Sequence, residues 1–159
     1  MNVNEVMSSD VTSCSPDTSL DQVARLMWDN DCGAVPVVNN KNIPVGIITD
    51  RDIAMAALHK HKPLWEMQVN QIVQGQHLCC CHQEDNIEGC LTKMEQNGVR
   101  RIMVTNQDGT LCGIVSMGDI VAATANRKSK NSLGAGDVLA MLKRVSAHHE
   151  QANRAVVSA

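Results

Sequence analysis

The sequence predicts a mixed α/β fold, in which two β-α-β-β-α repeats pack about a pseudo-twofold axis and a C-terminal helix follows. Three observations predict this: an internal repeat, short strand-like runs alternating with helical apolar spacing, and an apolar stripe near the end of the chain. Residues 19–53 align with residues 86–120 without a gap, at a constant offset of 67, and eight positions are identical. A repeat of this kind indicates a duplicated supersecondary unit.

Each copy opens with a strand candidate followed by a helix. Ser19, with Gln22 three residues later, fits a capping box at the start of the first helix, and Asn86 stands at the matching position of the second. The next apolar residues recur at the i, i+3, i+4, i+7 spacing of one helix face. They are Leu20, Val23, Ala24 and Met27 in the first copy and Ile87, Cys90, Leu91 and Met94 in the second. The strand candidates are residues 11–14 and 78–81.

The rest of each copy predicts two further strands and a second helix. The pairs Asn30-Asp31 and Asn97-Gly98 are stop signals for the first helices, and the second helices are expected to begin at Asp50 and Met117. So small a unit leaves one sheet face uncovered, and two copies are therefore expected to pack sheet to sheet. The predicted strands are residues 34–38, 45–49, 102–104 and 112–116.

These signals divide the chain into three parts. The first repeat covers residues 4–60, the second covers residues 69–126, and residues 127–159 form a linker and the C-terminal helix. Asp137 is the expected N-cap of that helix. Its apolar stripe has to be buried by its own module or by a second chain. The stripe consists of Val138, Met141, Leu142 and Val145.

Composition argues against several classes of function. A net charge of −3 and a pI near 6.0 argue against a nucleic-acid partner. The chain lacks an apolar run of the roughly 18 residues that span a bilayer, and its start lacks signal-peptide features. We therefore expect a soluble cytoplasmic protein with no membrane partner, and seven reduced, buried cysteines. Because Phe and Tyr are absent, a bound base would be held by aliphatic side chains.

The best-matched site in the two copies is the turn from the third strand into the second helix. A helix N-terminus and a hydroxyl offer donors to a phosphate or ribose oxygen, and a carboxylate can accept hydrogen bonds from a ribose diol. A glycine permits close approach of backbone or ligand. The alternative is that the hydroxyl and the acid form only a helix capping box. The matched residues are Gly46, Thr49 and Asp52 in the first turn and Gly113, Ser116 and Asp119 in the second.

These turns, the Val6-Met7 opening and the Ala-Val-Pro-Val-Val run at 34–38 resemble a CBS domain pair, named for the regulatory region of cystathionine beta-synthase. The resemblance covers roughly residues 4–125. It implies a regulatory module for an adenosine-containing ligand, such as AMP, ADP, ATP, S-adenosylmethionine or NADH, with no required cofactor. It also implies a homodimer that acts on a regulated protein in trans, since no enzyme domain is attached.

The resemblance, carried over by position, implies two ligand sites. The first would use Thr12, Ser13, Val35 and Pro36 with Thr49 and Asp52. The second would use Cys79, Cys80, Ile102 and Met103 with Ser116 and Asp119.

Three arginines make the two predicted sites unequal. Arg51 lies inside the first turn, where the second turn has Gly118. Arg100 and Arg101 stand in the second copy where the first has a glycine and an alanine. A guanidinium can bind a phosphate through charge-assisted hydrogen bonds. The alternative for each arginine is a solvated helix end or a surface ion pair.

Two other functions stay open, and an enzyme is not expected. The residues of 77–82, His-Leu-Cys-Cys-Cys-His, suit a metal or redox sensor, but alternation in a strand would put Cys80 on the opposite face from Cys79 and Cys81. The other is a structural dimerisation module without a ligand. The sequence contains neither a phosphate loop nor a His-Glu-x-x-His motif. Small residues on the second helices would permit close packing between chains; they are Ala54, Ala57, Ala122 and Ala123.

Overall fold

The computed structural model describes residues 1–125 and 134–146 and confirms the mixed α/β fold. The first repeat contains α1 (Leu20–Asp29), β1 (Ala34–Val38), β2 (Pro44–Thr49) and α2 (Asp50–Lys60). The second contains β3 (Cys80–His82), α4 (Ile87–Asn97), β4 (Arg101–Thr105), β5 (Leu111–Ser116) and α5 (Met117–Ala125). Helix α3 (Asn70–Val73) joins the repeats, α6 (Ala135–Ser146) is the last helix, and 3-10 turns cover Val3–Glu5 and Leu64–Glu66. In these ranges no helix is both long and apolar enough to cross a bilayer.

The two sheets differ at the predicted first strand. In the second repeat β3 pairs parallel with β4, which pairs antiparallel with β5. In the first repeat β1 and β2 form an antiparallel pair, and the strand predicted at 11–14 is wrong: only Cys14 is bridged, to Val37. Cys14 N donates to Pro36 O and Val38 N donates to Cys14 O. Extending this ladder to Thr12 would require an N–H from Pro36, which proline lacks.

The helix caps are only partly those the sequence predicts. The capping box expected at Ser19 and Gln22 does not form, because the Ser19 hydroxyl donates instead to Oδ1 of Asp21 at 2.6 Å. The cap at Asn86 is confirmed, since its Oδ1 accepts from Glu88 N at 3.0 Å. Helix α4 ends at Gly98, whose φ of 61° lies in the left-handed region that glycine adopts without strain.

Each repeat buries its own core, and each core includes the leading segment of the other repeat. Val3, from the start of the chain, is buried in the core of the second repeat, and Val3 N donates to Asp85 O at 2.9 Å. Met67 and Val73, from the segment that leads into the strands of the second repeat, are buried in the core of the first. The two leading segments are therefore exchanged. The sequence boundaries 4–60, 69–126 and 127–159 stay a prediction.

Helix α6 covers part of the second repeat. Its inner face, which consists of Val138, Met141 and Val145, is buried in that repeat's core, and the helix packs on α4 and α5. The stripe is thus buried by its own module. Asp137 lies in the first turn of the helix, so its prediction as the N-cap is wrong. The predicted linker residues 127–133 and the chain after residue 146 lie outside the described residues.

Candidate functional site

The turn from β2 into α2 carries a complete capping box. Oδ2 of Asp52 accepts hydrogen bonds from Thr49 N at 2.8 Å and from Thr49 Oγ1 at 2.7 Å. Asp52 N in turn donates a hydrogen bond to Thr49 Oγ1 at 3.2 Å. These bonds satisfy backbone N–H groups that the first helical turn leaves without partners. The predicted helix capping box therefore forms at this turn. It uses only one of the two oxygens of the Asp52 carboxylate.

The turn from β5 into α5 repeats this arrangement. Oδ2 of Asp119 accepts from Ser116 N at 2.7 Å and from Ser116 Oγ at 2.6 Å, and Asp119 N donates to Ser116 Oγ at 3.3 Å. The second carboxylate oxygens differ. Oδ1 of Asp119 accepts from the hydroxyl of Ser8 at 3.3 Å, whereas Oδ1 of Asp52 accepts no hydrogen bond from the described residues.

The two glycines of the turns make room for the exchanged leading segments. A Cβ built on Gly46 would lie 2.7 Å from Cβ of Val73, and one built on Gly113 would meet the side chain of Met7 and lie 3.2 Å from Ser8 O. The first distance is too short for a Cβ, and the second is tighter than an ordinary van der Waals contact. Packing against the leading segments therefore explains why these two positions are glycine. The close approach of a ligand, which the sequence analysis expected, is not needed to explain them.

Thr12 and Ser13 precede Cys14, which is bridged to Val37 of β1. In β1, Ala34 pairs with Thr49 of the first turn and Val35 pairs with Ile48. Thr12 and Ser13 are half-buried, and Val35 is buried in the core, so Val35 offers a ligand its backbone alone. Pro36 is also buried.

The second turn has the same surroundings. Cys80 pairs with Met103 in β4, and Arg101 pairs with Ser116 in β5. Ile102 is buried in the second core, while Met103 is buried outside both cores. Cys79 and Cys80 are half-buried. Val35, Pro36 and Thr49 thus share the first sheet, and Cys80, Ile102, Met103 and Ser116 share the second, whereas Thr12, Ser13 and Cys79 lie outside the strands.

The three arginines have different surroundings. Arg51 is exposed in the first turn of α2. Arg100 Nε donates to Val145 O at 3.4 Å, which places a cation at the negative C-terminal end of α6. Arg101 reaches the other repeat, where its Nη2 lies 3.6 Å from the position that a Cβ on Gly33 would take. The contact of Arg100 with α6 could not be read from the sequence.

The cysteines are all free thiols; three are buried and four are partly exposed, so the expectation that all are buried is wrong. Burial raises the pKa of Cys14 to about 11. A hydrogen bond between Cys81 and Cys90 lowers the pKa of Cys81 and raises that of Cys90. Among the residues described, no three His, Cys, Asp or Glu side chains converge as a metal site would require.

A cavity of about 530 Å³ lies between α1 and α2 and reaches the first turn at Asp50. We call it the first-repeat groove. Its lining includes Ala24, Trp28, Asp31, Asp50 and Ala57, and none of the predicted ligand residues. Sequence reasoning missed it because the groove depends on how two helices pack.

The duplicated fold and its paired turns define a tandem-repeat α/β module. A family model for the CBS domain matches residues 3–59 and 75–126, so the chain belongs to the CBS domain family. It is 29% identical over 136 residues to the CBS domain-containing protein YhcV of Bacillus subtilis, covering 83% of this chain and 89% of YhcV. Other curated relatives are longer. The chain spans 61% of protein MK0525 of Methanopyrus kandleri and 24% of a homoserine O-acetyltransferase of Methanosalsum zhilinae.

Three solved structures have similar folds. Hypoxic Response Protein I, with two coordinated zinc ions, matches with a TM-score of 0.70 at 25% identity, over 77% of this chain and 98% of that one. The CBS domain pair of MJ0100, in complex with 5′-methylthioadenosine and S-adenosyl-L-methionine, gives 0.71 at 21%, over 80% and 98%. PAE2072 from Pyrobaculum aerophilum, complexed with AMP, gives 0.67 at 20%, over 76% and 90%.

Proposed function

We propose that this chain is a regulatory module that binds an adenosine-containing ligand at one or both strand-to-helix turns. One observation carries the proposal: at the first turn the cap engages Oδ2 of Asp52 and leaves Oδ1 without a partner among the described residues. A part-buried carboxylate oxygen held in this way is oriented to accept a hydrogen bond from a ribose hydroxyl. The cap and the ligand site therefore coexist.

The rest of the first site follows from its surroundings. The adenine would lie against the backbone of Thr12 and Ser13 and the ring of Pro36, an aliphatic wall in a protein that lacks Phe and Tyr. A phosphate would receive the N–H groups at the start of α2 and the guanidinium of Arg51. Structures of similar fold hold AMP in one case and S-adenosyl-L-methionine in another, which supports a site built for the shared adenosine.

The second site is proposed to be the weaker one. Its carboxylate oxygen Oδ1 on Asp119 already accepts a hydrogen bond from Ser8, and Gly118 stands where the first turn has Arg51. A ligand would have to displace the Ser8 hydroxyl and would find no guanidinium within the turn. Arg101 begins β4 opposite Ser116, but its guanidinium lies beside Gly33 of the first repeat and would have to turn toward the second turn to reach a phosphate there.

The output of the module is proposed to be a change in a partner protein in trans rather than a reaction. CBS domain proteins are generally regulatory, and the enzyme relatives that share this region match only over part of their length. A cytoplasmic homodimer without enzymatic activity completes the proposal. Light scattering at micromolar concentration tests the homodimer, and a strictly monomeric mass would contradict it.

A panel of adenosine compounds tests the proposed ligand class. AMP, ADP, ATP, S-adenosylmethionine and NADH are added in turn, and the unfolding temperature is recorded with guanosine monophosphate as the matched control. Binding to the folded state stabilises it by about 2.7 kcal/mol at a hundredfold excess over Kd. We expect at least one adenosine compound, and not the guanosine control, to raise the unfolding temperature. No shift with any of them would favour the ligand-free dimerisation module.

A metal sensor is the second candidate, because one structure of similar fold holds two zinc ions. The donors would come from residues 77–82, where Cys79, Cys80 and Cys81 are adjacent. Elemental analysis of the protein purified without a polyhistidine tag tests this candidate. Stoichiometric zinc would support it, and a zinc content well below one ion per chain would contradict it.

A further inference from the structure

The first-repeat groove is an apolar surface without an occupant in the single chain. Trp28 lines it and is 87% exposed, and the lining includes the small side chains of Ala24, Ala54 and Ala57. An indole this exposed beside a concave apolar surface is typical of an interaction site. Two of these alanines, Ala54 and Ala57, are among the small residues that the sequence predicts to pack between chains.

The internal repeat shows what kind of surface fits such a groove. The offset of 67 residues maps Met27 and Ile53 of the groove onto Met94 and Ile120. Both of these are buried in the same core as the inner face of α6, and α6 packs on the two helices that carry them. The position in the second repeat that corresponds to the first-repeat groove is thus filled by an amphipathic helix. The first-repeat groove itself is open.

The outer face of the same helix has the right chemistry for the open groove. Leu139 of α6 is 53% exposed, and Lys143 and Arg144 are exposed at its C-terminal end. The open groove offers apolar lining together with the carboxylates of Asp31 and Asp50. Direct pairing of two open grooves would instead bring these carboxylates of both chains together. Charge therefore favours the helix over a second groove.

We propose that the first-repeat groove binds the outer face of α6 from a second copy of this chain. Each chain has one open groove and one α6, so two copies can make the contact reciprocally and close as a twofold dimer. First repeat then faces second repeat, and the C-terminal helix lies between them. The inference rests on the homodimer proposed above, and it does not depend on the nucleotide.

The test combines molar mass with the fluorescence of one tryptophan. Trp65→Phe leaves Trp28 as the only tryptophan of the chain. In this background, light scattering over a dilution series gives the dimer dissociation constant, and the emission maximum of Trp28 reports whether the groove is filled. We compare Leu139→Gln, on the outer face of α6, with the control Ile43→Gln, an exposed apolar residue between β1 and β2 that does not line the groove.

We expect a dimer whose Trp28 emission is blue-shifted and moves to the red on dilution. Leu139→Gln should raise the dissociation constant roughly tenfold for each of the two contacts, about a hundredfold in all, with Trp28 exposed. Ile43→Gln should change it by less than about threefold. Lys143→Glu combined with Arg144→Glu should also weaken the dimer, and adding Asp31→Lys should restore part of the loss.

Two results would overturn the inference. If Leu139→Gln dimerises as tightly as its parent while Trp28 stays buried, another surface of the second copy fills the groove, and the homodimer alone survives. If the parent is monomeric at every concentration, both the homodimer and this contact fail. The fluorescence and mass are measured without nucleotide, so neither result bears on adenosine binding.

Discussion

The hydroxyl of Ser8 donates a hydrogen bond to Oδ1 of Asp119 at 3.3 Å, across 111 residues of sequence. This bond ties the leading segment of the chain to the turn of the second repeat. The matching oxygen of Asp52 accepts no hydrogen bond from residues within the described ranges. The two turns of the duplicated sequence thus share the same cap, but the Oδ1 oxygens of their aspartates differ in hydrogen bonding.

Replacing Ser8 should therefore strengthen ligand binding at the second site. In an Asp52→Ala background, in which only the second site is intact, Ser8→Ala removes a competing donor from Asp119. A single exposed hydrogen bond is worth about 0.5–1.5 kcal/mol, so we expect AMP affinity to rise by roughly two- to tenfold in calorimetry. Ser9→Ala is the neighbouring control. Unchanged or weaker AMP binding in Ser8→Ala would show that Ser8 does not compete with the ligand.

Gly46→Ala should destabilise the protein more than Gly113→Ala. The new Cβ at position 46 would meet Cβ of Val73, which cannot move without α3. At position 113 the nearest obstacle is the end of the flexible Met7 side chain. We expect urea unfolding to give a loss of about 1–3 kcal/mol for Gly46→Ala and a smaller loss for Gly113→Ala. Equal stability of Gly46→Ala and the parent would contradict the packing role of the glycine.

Thr49→Ala should reduce both stability and nucleotide affinity, because Thr49 caps α2 and is a proposed ligand residue. The cap is worth about 1 kcal/mol of unfolding free energy. Asn86→Ala is the matched control, since it removes a comparable cap from α4, away from both turns. It should lose similar stability and keep AMP affinity. Parallel losses of affinity in both variants would mean that stability alone explains the effect.

Cys14 should be slow to alkylate in the folded protein. Burial raises its pKa to about 11, so at pH 8 it is held as the thiol, and the thiolate is the nucleophile. We expect iodoacetamide to modify the partly exposed Cys32 first, and Cys14 to gain reactivity as the pH rises toward 11. Peptide mass spectrometry after timed labelling measures both. In urea the two should react alike, and equal rates in the native protein at pH 8 would contradict the burial of Cys14.

Most elements could be predicted from the sequence because each carries a local signal. The apolar spacing after Asn86 and the stop at Gly98 define α4 without reference to the rest of the chain. The strand predicted at 11–14 failed for a non-local reason, since the missing N–H belongs to Pro36 in the neighbouring strand. The cap predicted at Ser19 does not form because the Ser19 hydroxyl donates its hydrogen bond to Asp21, two residues away.

The candidate turns were predictable as a pattern, and their surroundings were not. A glycine inside a strand often marks close backbone approach, and this signal was present at Gly46 and Gly113. Nothing local to either glycine specifies that Val73 or Met7 fills the space. Ser8 was missed for the same reason, because its partner lies in the other repeat. Exchange of the leading segments is a tertiary event that leaves no periodicity in the sequence.

The most direct test of the central claim is calorimetric titration of AMP into the parent protein and into the Asp52→Ala, Asp119→Ala double variant. Each carboxylate is proposed to accept ribose hydrogen bonds, and bonds to a charged acceptor are worth on the order of 1.5–3 kcal/mol each. We predict saturable binding to the parent and a loss of a hundredfold or more in affinity in the double variant. Circular dichroism, together with the Asp52→Asn, Asp119→Asn variant that keeps an oxygen for each cap, checks that the fold is intact. Unchanged AMP affinity in a folded double variant would contradict the ribose assignment and leave the two turns as helix caps alone.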